Sequence, residues 1–71
     1  MTENVNRNYY VPKNAFGRQI INHIIDKVGG SIEKISFVRD TEGKELINVS
    51  YSCNKRDLPS VEKILKFYDI L

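Results

Sequence analysis

Cys53 and His23 are the only cysteine and the only histidine in this chain of 71 residues, and they set what chemistry is open to it. Cys53 precedes Asn54-Lys55-Arg56, and cations beside a thiol lower its pKa toward the nucleophilic thiolate. A thiolate nucleophile also needs a base, and no second histidine or acid pair supplies one, so Cys53 reads as a half-buried thiol at a strand end. His23, with Asn22 beside it and Asp26 three positions on, makes at most an exposed ligand pair, short of the set that holds zinc. No paired acids, nucleophile with base, or phosphate-cradling glycine motif accompanies them. The expected function is therefore not enzymatic, and no metal or cofactor is expected.

Basic residues offer a second chemistry. Lys13 and Arg18 flank the start of the first predicted helix, and Lys55 and Arg56 precede the second; with Lys44 they could form a basic rim facing phosphate, interrupted by Asp40 and Asp57. A formal charge of +2 neither demands nor excludes a nucleic acid. Single-stranded RNA on a sheet face needs aromatic side chains to stack on. The residues expected there from the second and third strands, Lys34, Ser36, Val38, Leu46, Asn48 and Ser50, include none, which disfavours nucleic-acid binding.

The elements that must position these residues follow from spacing. Residues 1–8 have little to bury and are expected as a flexible N-terminal tail, leaving residues 9–71 as a single domain. Tyr9-Tyr10-Val11 is a short β-favouring run ended by Pro12. Phe16, Ile20, Ile24 and Val28, with Ile21 and Ile25, recur at helical spacing, which predicts a helix from about Ala15 to Val28. Asn14 is its expected N-cap and Gly29-Gly30 its stop. Ile32–Arg39 and Lys44–Cys53 alternate as strands around the turn Asp40-Thr41-Glu42-Gly43. Asp57 is the expected N-cap of a second helix, with Pro59 in its first turn and Val61, Ile64, Leu65, Tyr68 and Leu71 at helical period to the C-terminus.

The order β-α-β-β-α predicts an α+β domain: a three-stranded antiparallel sheet with two helices on one face, ferredoxin-like but lacking the last strand. The expected core is Ile20, Ile24, Ile35, Phe37, Ile47, Val49, Val61 and Leu65. From Asn14 on, the isoleucine-rich helix closing on GGSIEKISFV, the return through GKELINVSYS and the opening of the second helix at RDLPSVEKIL resemble ACT-type regulatory domains. That resemblance implies the same fold plan, side-by-side pairing of domains and a small effector, often an amino acid, bound at the loop after strand one. The loop here reads PKNAFG, without the family's acidic residue and with its glycine inside the expected helix, so no binding residue carries over.

Size and composition bound the function. A chain this short sits near the limit at which one apolar core outweighs chain entropy, and self-association is one remedy. Apolar residues at 41% and charged residues at 28% are a globular balance. No run approaches the ~18 apolar residues of a membrane span, and MTENVNRN lacks a signal-peptide core, so a cytoplasmic location is expected. With its fourth strand missing, strand one is an open edge carrying Tyr9, Tyr10 and Val11, and Phe67 and Ile70 widen the apolar surface of the second helix. These five residues are the expected contact surface of a small protein-binding module that acts as a homodimer, or as a regulator or inhibitor of a larger protein. An ACT-like small-molecule sensor and a nucleic-acid-binding protein are the alternatives.

Overall fold

Strand pairing uses backbone groups that polar residues carry as well as apolar ones, and the N-terminus shows it. The computed structural model describes residues 3–70. Its first strand, β1, spans Asn4–Pro12 and starts well ahead of Tyr9. Residues 4–8, expected in a tail, instead pair with residues 50–54 of a later strand. Their side chains reinforce the ladder on one face: Asn6 donates to Ser52 Oγ at 3.0 Å and accepts from Ser50 Oγ at 3.2 Å. Glu3 joins them, its carbonyl oxygen accepting from Lys55 N–H at 2.7 Å, and Met1 and Thr2, the rest of the expected tail, lie outside the described residues.

Helix α1 spans Ala15–Lys27, and the Asn14 side chain caps it by accepting from the Gly17 N–H at 2.9 Å. Gly29 and Gly30 follow with φ of 89° and 83°, the left-handed turn that delivers the chain into β2, Ser31–Arg39. The hairpin to β3, Glu45–Asn54, closes through Asp40, whose Oδ1 accepts from the N–H groups of both Glu42 and Lys44 at 2.9 Å, with Gly43 at φ 83°. All pairing is antiparallel and the order is β1-β3-β2. The architecture is β-α-β-β-α, an open three-stranded sheet with two helices, compatible with a ferredoxin-like module.

The second helix differs at both ends from its expected form. Asn54 accepts from Arg56 N–H and caps a single 3₁₀ turn, Lys55–Asp57, so Asp57 enters with helical dihedrals and makes no side-chain cap bond. Helix α2 then spans Leu58–Phe67 and stops short of the C-terminus. Asp69 adopts φ 60°, and the bonds Asp69 N–H to Lys66 O and Ile70 N–H to Leu65 O form a Schellman stop. That stop folds Ile70 back against the core. Leu71 lies outside the described residues.

The core joins Val11, Ile20, Ile24, Ile47, Val49, Tyr51, Cys53, Val61 and Leu65. Six expected members are there; Ile35 and Phe37 are not, with 48% and 64% of their surface exposed. Both do lie on the helix-covered face, since they stand opposite Val49 and Ile47 of β3. The cover stops short of them. Gly17 lets α1 approach β1 so closely that a Cβ there would overlap the Pro12 carbonyl oxygen. The first turn of α1 is thereby seated on the end of β1.

Candidate functional site

Burial decides the chemistry of Cys53. It is enclosed in the core, and burial pushes its thiol above the ordinary range despite the nearby Arg7 guanidinium. The residue packs in the core, and its burial and raised pKa both disfavour the thiolate. His23 is likewise committed: its Nδ1 lies 2.8 Å from the Tyr68 hydroxyl, the two rings meet edge to face, and the contact ties α1 to the end of α2. Among the described residues, no three of His, Cys, Asp and Glu group as metal ligands would.

The basic rim divides into two ends. Lys13 pairs with Glu45 at 3.4 Å and stands 4.6 Å over the Phe37 ring, with Arg18 one turn into α1 and Lys44 in the adjoining hairpin. Lys55, 3.9 Å from Glu3, and Arg56 follow the far end of β3, roughly 30 Å away at the rise of a ten-residue strand. Asp40 and Asp57 do not interrupt a single patch, because the sheet itself separates its halves.

The expected contact residues separate too. Val11 is in the core at 2% exposure; Tyr9 is half-buried beside Tyr51, with ring centroids 6.5 Å apart; Ile70 packs on the core. Tyr10 and Phe67 are exposed, at 52% and 77%. Tyr10 shares the open sheet face with Asn4, Asn6 and Asn8, whereas Phe67 ends a helix on the covered side. They do not form one surface.

A different surface is continuous. A groove of about 390 Å³ runs between α1 and β2, with Ile47 at its floor, Ile21, Ile32, Ile35 and Phe37 as apolar walls, and Lys13, Arg18 and Asn22 at its mouth. Beside it lies a free strand edge whose polarity follows from the hydrogen-bond alternation of antiparallel strands. Asp40 N–H bonds Lys44 O, so the pairs 38/46, 36/48 and 34/50 carry the bonds to β3. The N–H and C=O groups of Ile35, Phe37 and Arg39 therefore point outward. On β1, Lys13 N–H bonds Glu45 O, so the N–H and C=O groups of Asn4, Asn6, Asn8 and Tyr10 point outward. A register shift between Ile32 and Lys34 restricts the regular part of the β2 edge to residues 34–39.

Alternation in the sequence gives Ile35 and Phe37 their face but not their exposure, which depends on where α1 docks. No helix of the described residues is long and apolar enough to cross a membrane. Compared with family models, curated proteins and solved structures, the chain has no match in any of the three.

Proposed function

We propose that this chain is a small, non-enzymatic protein-binding module that works by contact through the α1–β2 groove and the adjoining β2 edge, as a homodimer or as a regulator or inhibitor of a larger protein. The observation that carries it is the exposure of Ile35 and Phe37 beside outward-pointing backbone groups of the same residues. Covering the exposed parts of the two side chains is worth about 2–3 kcal/mol, and the unpaired groups can accept an added strand. The test is quantitative capture from a native-host lysate by the parent and by the double variant Ile35→Lys, Phe37→Lys, combined with sedimentation of both. The parent should bind a partner or itself, and the folded variant should lose that binding. Equal binding by both would place the contact elsewhere.

A second reading, the small-molecule sensor, is favoured by one observation: the groove volume falls within the range of ligand sites, and Lys13 and Arg18 at its mouth suit an anionic head on an apolar body. A thermal-shift screen against amino acids and nucleotides tests it, since a ligand of the folded state raises its melting temperature.

A further inference from the structure

We infer that the partner at this surface is a second copy of the chain, joined by antiparallel pairing of the two β2 strands about a twofold axis at Ser36. The inference rests on the protein-binding reading and names its occupant. The free edge is self-complementary in one register. With Ser36 opposite Ser36 of the second copy, Ile35 stands opposite Phe37 and Phe37 opposite Ile35; all four residues point their backbone groups outward, so the two pairs exchange four N–H···O bonds. The same register sets Lys34 opposite Val38 at both ends of the regular edge, so no like charges face each other there.

Neighbouring registers lose this match. Setting Phe37 opposite itself brings Ile35 against the Arg39 cation, and setting Ile35 opposite itself leaves Phe37 facing the irregular step between Ile32 and Lys34. A twofold axis normal to the sheet keeps the helices of both copies on one face. The exposed walls of the two grooves then cover each other across a six-stranded sheet ordered β1-β3-β2-β2-β3-β1. Such a sheet also gives a chain of this size a larger shared core than it builds alone.

Single cysteines read the register directly. At a twofold position that is not hydrogen-bonded, Cα atoms lie about 4.5 Å apart, within disulfide reach. Ser36→Cys should therefore oxidise in air to a covalent dimer, while Lys34→Cys, whose two copies lie about 13 Å apart in this register, should not. The unaltered chain, whose Cys53 is buried, is the control. Sedimentation of the unaltered chain should show a concentration-dependent dimer, weakened roughly a hundredfold or more by Ile35→Lys with Phe37→Lys. A chain that stays monomeric at millimolar concentration, or Lys34→Cys linking as readily as Ser36→Cys, would overturn the inference. A monomeric chain that still captures another protein through Ile35 and Phe37 would overturn it too while leaving the protein-binding reading standing.

Discussion

The two outer strands of this sheet are nine residues each and each leaves one edge unpaired among the described residues, yet their edges are opposites in chemistry. On β1 the outward backbone groups belong to Asn4, Asn6, Asn8 and Tyr10, whose side chains lie on the open face, while Tyr9 and Val11 on the other face pack into the core. On β2 they belong to Ile35, Phe37 and Arg39, on the helix-covered face but beyond the part, ending near Ile32, that packs on the core. At the β1 side the first turn of α1 sits against the strand end, with Gly17 on the Pro12 carbonyl. Free backbone groups alone are common to both strands. What singles out β2 is their coincidence with uncovered apolar side chains.

The sharpest way to break this comparison is an aspartate at each member of one cross-strand pair. Val49 is buried and its partner Ile35 half exposed, so Val49→Asp should cost more than about 4 kcal/mol and abolish the folding transition. Ile35→Asp should cost about 1 kcal/mol or less in the same chemical denaturation experiment. Equal losses would show that β2 is as enclosed as β3.

The two glycines that bracket β2 give the next largest contrast. Gly30 and Gly43 share φ 83°, but a Cβ on Gly30 would come within 2.5 Å of the Ser52 carbonyl oxygen and 2.6 Å of the Tyr51 hydroxyl, whereas none lies near Gly43. Gly30→Val should cost roughly 3 kcal/mol, combining steric overlap with left-handed strain. Gly43→Ala should cost about 1 kcal/mol from strain alone. Melting temperatures of the two variants measure the gap.

The covered half of the sheet carries its own pH signature. Tyr51 is buried, its hydroxyl donates to the Gly29 carbonyl at 2.6 Å, and burial pushes its pKa up to about 12. The phenol is neutral in both folded and unfolded chains below pH 10, so it adds no pH dependence there. Between pH 10 and about 12 the unfolded chain ionises first and the folded state loses on the order of 2–3 kcal/mol. Urea midpoints across that window should fall, and the part due to Tyr51 should vanish in Tyr51→Phe, which itself costs about 1 kcal/mol for the lost hydrogen bond.

Prolines on the two edges should have the smallest effect on stability and the clearest effect on function. Tyr10 and Phe37 both present outward N–H groups, so a proline at either deletes no bond to β3. Pro12 already occupies such an outward position on β1. Each variant should fold with a loss near 1 kcal/mol. Phe37→Pro should abolish association, and Tyr10→Pro should leave it unchanged.

Elements carried by local chemistry were legible in the sequence. Asn14 caps α1, Gly29-Gly30 stops it, and Asp40 with Gly43 turns the hairpin, because each acts within a few residues of itself. The polar half of β1 was not legible, since its pairing draws on backbone groups and on Ser50 and Ser52, which lie far along the chain. The placement of Ile70 was hidden for a related reason: Asp69 adopts a left-handed conformation without being glycine. The candidate site was legible only in part. Period two put Ile35 and Phe37 on the correct face, but their exposure depends on how far the helices reach across the sheet, which is set by contacts distant in sequence.

Residue-resolved amide hydrogen exchange, followed from dilute to concentrated chain and then with any captured partner, tests most directly whether β2 is the contact edge. In dilute chain the outward amides of Ile35 and Phe37 should exchange as fast as those of Asn6 and Asn8. On association, Ile35 and Phe37 should become protected while Asn6 and Asn8 stay fast. Protection that appears instead at Asn6, Asn8 and Tyr10, with Ile35 and Phe37 unchanged, would contradict the assignment of β2.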